Sequence, residues 1–166
     1  MIDKLIEILQ AEYQIYQELY QLSEEKQEII IDNQVDDLLE IIEEEQEEIK
    51  KIDKLEGKRI DVLEKIAAKN SLQKDELSFD KLMELINDPE KSKLEEIRTE
   101  ILDLLEEIQE TNKTNADLIR ESLQLTDYTL QLLTDSDIGK TNTYKKPGDK
   151  KQDDNDQPRR IIDQKV

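Results

Sequence analysis

The side chains able to do chemistry in this sequence are carboxylates and little else. Forty-three Asp and Glu stand against 24 Lys and Arg, and the chain has neither histidine nor cysteine. Without histidine there is no side chain whose ordinary pKa suits a general base at neutral pH. Without cysteine there is no thiolate nucleophile, no thiolate metal site and no disulfide framework. Serines are present, but no residue is identifiable to activate one. Carboxylates are so numerous that no single pair stands out for acid–base work. The run Glu43-Glu44-Glu45-Gln46-Glu47-Glu48 reads as the wet face of a helix. A hard cation needs oxygens brought together by a turned loop, which a straight helix does not supply. Asp135-Ser136-Asp137-Ile138-Gly139 opens like a calcium loop but lacks the later ligands, including the acidic residue at the twelfth position. No glycine-rich phosphate loop is present. The sequence therefore predicts a protein that is not an enzyme and uses no cofactor or metal.

What remains is binding, and the composition limits the partners. The net charge is −19 at pH 7. A surface of that sign repels nucleic-acid backbones and anionic membrane surfaces. It favours solubility in a protein that carries an exposed apolar face. The opening MIDKLIEILQAEY interleaves acidic and apolar residues and is not a signal peptide. No stretch approaches the ~20 apolar residues of a membrane span. The expected location is the cytoplasm.

The elements that must carry such a face are long helices. Hydrophobic residues make up 35% of the chain and charged residues 40%, with one Phe and no Trp. That is too little to fill a thick core, but enough for the thin seam of a helical bundle, where two positions in seven are apolar. Helix one is predicted over about Ile2 to Asp32, with a seam of Leu5, Ile8, Ile15, Leu19, Leu22 and Ile29, interrupted by Glu12 and Lys26. Asp32-Asn33 breaks it, since both residues favour turns and caps. Helix two is predicted over about Val35 to Lys69, with a seam of Val35, Leu38, Ile42, Ile49, Ile52, Leu63 and Ile66; Glu45, Glu56 and Arg59 occupy core-type positions. Its length would be roughly 50 Å. A short helix follows near Phe79 to Asn87 with Ser78 as its N-cap. Asp88-Pro89 then opens the last helix, Asp as N-cap and Pro at the first helical position, and the helix should run to about Ser136. The fold class is all-α: an elongated antiparallel helical bundle or coiled coil of long helices, with a short connecting helix. Residues 1–138 form the helical domain, and residues 139–166, polar and poor in aliphatics, form a flexible C-terminal tail.

The last helix changes character halfway. Its seam is apolar at Leu94, Ile97, Ile101, Leu104 and Ile108, then becomes Thr111, Asn115, Leu118, Ser122, Leu125, Thr129 and Leu132. A second stripe appears beside it at Ile119, Leu123, Leu130 and Leu133, with Tyr128 nearby. One apolar stripe packs on the protein itself; a second is left over for a partner helix. Asn112 and Asn115 are neighbours on the helix surface. Either they are exposed and inert, or they loosen the packing where a partner enters; spacing alone does not decide.

The segment Leu104-Leu105-Glu106-Glu107-Ile108-Gln109-Glu110-Thr111-Asn112-Lys113-Thr114-Asn115-Ala116-Asp117-Leu118-Ile119 resembles the signature of the FlgN family of bacterial flagellar export chaperones, an apolar helix running into Asn-x-x-Asn-x-x-Leu-Leu/Ile. The continuation to Leu132-Leu133, the Thr143-Tyr144 with Pro147-Gly148, and the basic–aliphatic Arg160-Ile161-Ile162 fit as well. Tyr144 departs from the pattern, being followed by Lys145-Lys146 rather than by Gly. The resemblance implies a cytoplasmic chaperone that holds the C-terminal helices of the hook-associated proteins FlgK and FlgL and delivers them to the export gate. It implies that Tyr144 contacts the cytoplasmic domain of that gate. The expected client-binding residues are Asn112, Asn115, Leu118, Ile119, Leu123, Tyr128, Leu130 and Leu133, and the free chain is expected to be a monomer or weak dimer. The competing reading is a homodimeric coiled-coil scaffold without a secretion role.

Overall fold

The computed structural model describes residues 1–73 and 76–138, with side chains described through residue 134. Four helices are found there: α1 (Ile2–Ile31), α2 (Val35–Lys69), α3 (Phe79–Leu85) and α4 (Glu90–Ile138). The chain divides into two units, one of Met1–Thr126 and one beginning at Asp127, so α4 belongs to both. The all-α expectation holds, and the helix boundaries fall close to those read from the sequence.

The turns explain those boundaries. After α1, Asn33 takes a left-handed conformation (φ 56°). The Asn33 N–H then donates to the Ile30 carbonyl and the Gln34 N–H to the Ile29 carbonyl, both at 3.1 Å. After α2, Ser71 does the same (φ 56°), with Ser71 donating to Ala68 at 3.2 Å and Leu72 to Ala67 at 3.0 Å. Both ends thus use the paired hydrogen bonds that satisfy the last helical carbonyls. Asn tolerates the left-handed region because its short polar side chain bonds locally. At α3, the Ser78 hydroxyl accepts from the Lys81 N–H at 3.2 Å, the expected N-cap. At α4 the expectation shifts by one residue. Pro89 precedes the first helical residue, Glu90, and its carbonyl accepts from the Lys93 N–H. Asp88 accepts from the Ser92 hydroxyl at 3.0 Å rather than from a backbone N–H.

Within the first unit α1 and α2 form an antiparallel hairpin. The residues that interrupt their two seams face one another across it. Arg59 Nη1 lies 3.5 Å from Glu12 Oε2, and Lys26 Nζ lies 2.6 Å from Glu45 Oε1. The partners are spaced two heptads apart on each helix. The seam of α2 differs from the predicted one in its middle: Glu48 turns inward and Ile49 is half exposed, at 49%. Val35 is exposed too, while Ile41 and Val62, outside the predicted seam, are buried. The cross-helix ion pairs set this register, because a half-buried charge without a partner costs more than a displaced isoleucine gains.

The core lies at the end of the unit where α1 begins. Leu5, Ile6 and Ile8 of α1 pack with Val62 and Ile66 of α2, with Leu82, Met83 and Ile86 of the α3 region, and with Leu94 of α4. Leu94 is completely buried. From there α4 runs alongside α1 in the same direction. Leu94 meets the start of α1, and the Asn115 side chain reaches Ser23.

Candidate functional site

Along α4 the environment changes in three steps. The first turns supply core residues: Leu94, Ile97 and Leu104 are buried, and Ile101 and Ile108 half-buried. A polar junction follows. The Asn115 amide, 2% exposed, donates from Nδ2 to the Ser23 carbonyl at 2.8 Å. Its Oδ1 is buried without a hydrogen-bond partner. One turn earlier, Asn112 Oδ1 accepts from Lys26 Nζ at 3.1 Å, and the same ammonium donates to both Glu45 oxygens at 2.6 and 2.8 Å. Lys26 thereby ties α1, α2 and α4 together. Beyond the junction, every residue from Ile119 to Thr134 is exposed.

The expected site residues therefore fall into two classes. Asn115 is an interior residue, Asn112 is bonded to Lys26, and Leu118 is half-buried. Of the two readings the spacing left open, exposure describes Asn112, which nonetheless bonds Lys26, and not the buried Asn115. Ile119, Leu123, Tyr128, Leu130 and Leu133 all stand on the surface, as do Leu125 and Leu132 of the continuing seam. That seam was expected to pack inward throughout. In the first unit it stops doing so where α1 ends at Ile31 and α2 begins at Val35, because no further helix remains there to face it. Tyr144 lies outside the described residues.

In the first unit Ile119 and Leu123 line a groove of about 260 Å³ with Ile29 and Ile30 of α1 and Val35 and Leu38 of α2. The α1 and α2 residues of this groove were not expected at the site. Their signal was present: Val35 and Leu38 continue an apolar seam to the very start of a helix, where it has little left to cover. In the second unit Tyr128, Leu130, Leu132 and Leu133 are each more than half exposed. An exposed leucine alone is ordinary; Leu, Ile and Tyr exposed over four turns of one helix are not.

A second hollow, of about 370 Å³, lies among α1, α2, α3 and α4 at the core end of the first unit. Glu12 borders it, 1% exposed, with Oε1 unpartnered. Burial raises the Glu12 pKa above the usual carboxylate range, opposed by the Arg59 guanidinium and reinforced by Glu56. Arg98 lies over the Phe79 ring, 4.6 Å from its centroid. Tyr16 borders the same hollow, and burial, with the Glu12 carboxylate, raises its hydroxyl pKa above the usual range. Among the described residues, no group of three or more carboxylates could hold a metal ion, and no helix is long and apolar enough to cross a membrane.

A family model described as FlgN protein matches residues 1–152 of the chain. No curated protein and no solved structure matches it.

Proposed function

The chain belongs to the FlgN family of flagellar export chaperones, and from that premise we propose that it acts in the cytoplasm on the hook-associated proteins FlgK and FlgL. It binds their C-terminal helical regions, keeps them from polymerising early, and hands them to the export gate. The observation that carries this reading is the unbroken exposure of α4 from Ile119 to Thr134, with its large apolar side chains. An amphipathic client helix laid on Ile119 and Leu123 in the first unit, or on Tyr128, Leu130 and Leu133 in the second, would cover the surface through which it self-associates. Residues 1–138 are the chaperone domain in this reading. Tyr144, in the segment 139–166, contacts the gate once a client is held.

The test is to mix the purified chain with each hook-associated protein and measure complex mass by size exclusion with light scattering. A one-to-one complex, lost when the client's C-terminal helix is deleted, is the expected result. Leu123→Asp and Leu130→Asp should each abolish it while far-UV helicity is retained; loss of helicity would make these positions core and sink the assignment. Tyr144→Ala should leave client affinity unchanged and impair secretion. A stable homodimer of the chain alone, with no client complex, would favour the scaffold instead.

A further inference from the structure

The groove at the α1–α2 turn carries more than apolar walls. Ile29 and Gln34 also border a neighbouring hollow of about 330 Å³. That hollow is lined by Glu25, Glu28, Asp32, Asp37, Glu40 and Glu44, all exposed. Among the described residues none of these six forms an ion pair. The lysines of this region are committed elsewhere: Lys26 to Glu45 and Asn112, Lys51 to Glu48. An apolar slot therefore opens directly beside a field of uncompensated negative charge.

We propose that the groove walled by Ile29, Ile30, Val35, Leu38, Ile119 and Leu123 seats a partner helix whose apolar stripe is flanked by lysine or arginine. This rests on the client-chaperone reading and adds two things to it. It makes the α1–α2 turn a wall of the client site, and it states the charge a client helix must carry.

Charge selects this occupant. A second copy of the chain would bring the same carboxylate rim and a net charge of −19 against the first, so the groove is poorly suited to self-pairing. An acidic or uncharged helix would gain the apolar contact alone. A basic-flanked helix gains both, and at physiological salt the rim is felt within about 8 Å of the groove. Rim charge of this kind acts on the rate of encounter and on the choice of partner, while the apolar anchors set how long the complex lasts.

Val35 provides a clean probe. It is 61% exposed and is the first residue of α2. An aspartate there leaves the core untouched and suits the helix dipole. Val35→Asp should weaken binding of the C-terminal helical region of a hook-associated protein by about 100-fold, as loss of a central anchor does. The triple variant Glu25→Gln, Glu28→Gln and Glu40→Gln alters only exposed side chains within helices. It should weaken binding about 10-fold at low salt and flatten the salt dependence. Titration calorimetry of the full-length chain at two salt concentrations reads both effects. Unchanged affinity in Val35→Asp, alongside loss in Leu130→Asp, would remove the groove from the client site and leave the chaperone reading standing. An unchanged salt dependence in the triple variant would overturn the basic-flank requirement. A dimer of the free chain that Val35→Asp dissociates would assign the groove to a second copy. Absence of any complex with the intact chain would remove the proposed function, and this assignment with it.

Discussion

Between Leu94 and Leu104 helix α4 is a core element, and between Ile119 and Leu133 it is a surface element, although both stretches are rich in leucine and isoleucine. The difference is not in the residues but in what lies beside them. The first stretch meets α1, α2 and α3 together. In the first unit the second stretch reaches the level where α1 stops and α2 starts, and Ile119 and Leu123 find only the last turn of α1, the first turn of α2 and the link between them. Between the two stretches sits the polar junction of Ser23, Lys26, Glu45, Asn112 and Asn115. One helix thus has a buried half and an exposed half, and the boundary between them is polar. Packing is concentrated on one side and exposed apolar surface on the other.

The largest test of that division is a matched truncation. Leu94→Ala should cost about 3–5 kcal/mol in denaturant unfolding, since the side chain is wholly buried. Leu130→Ala should cost less than about 0.5 kcal/mol. Similar costs for the two would dissolve the comparison. Next comes the junction itself. Lys26→Met leaves Glu45 half-buried without its cation, and should destabilise by about 2–3 kcal/mol without lowering client affinity by contact loss. A smaller change is expected from Asn115→Leu. It removes a buried, unpartnered amide oxygen along with one hydrogen bond, so stability should move by less than about 1 kcal/mol in either direction. A much larger loss would make Asn115 a structural keystone rather than a boundary. The subtlest prediction concerns pH. Glu12 has a raised pKa in the folded protein, because burial penalises its charged form. The folded state then holds that proton more tightly than the unfolded chain. The stability this group contributes is complete in acid below its ordinary range and is lost as pH rises through the raised value. Glu12→Gln should flatten the stability profile just above the ordinary carboxylate range, and an unchanged slope would contradict the assignment.

The helices and their ends were legible because turn residues announce themselves: Asp32-Asn33 and Ser78 stand where their local chemistry puts them. The break in the α4 pattern was legible too, since Thr111 and Asn115 interrupt a seam of leucine and isoleucine. Three things were not. The inward turn of Glu48, whose Oε2 is buried without a partner while Ile49 is half exposed, is one that no periodicity encodes. The burial of Asn115 depends on a backbone carbonyl of another helix, 92 residues distant. In the first unit the exposure of Leu125 follows from where α1 ends and α2 begins, and heptad spacing carries no information about that. Sequence patterns report which face is apolar. They are silent on how far along a helix its partners extend.

The two cross-helix pairs of the hairpin have a further consequence. A heptad pattern forgives a slip of seven residues, because leucine and isoleucine recur and a shifted seam still looks packed. Here such a slip would set Glu12 against Ile52 or Ile66 and Lys26 against Leu38 or Ile52. Two charges would be buried on aliphatic surface at once, and each error would reinforce the other. Glu12–Arg59 and Lys26–Glu45 therefore work as a two-point key for alignment: α1 and α2 can close in only one frame, and that frame fixes where their turn meets α4.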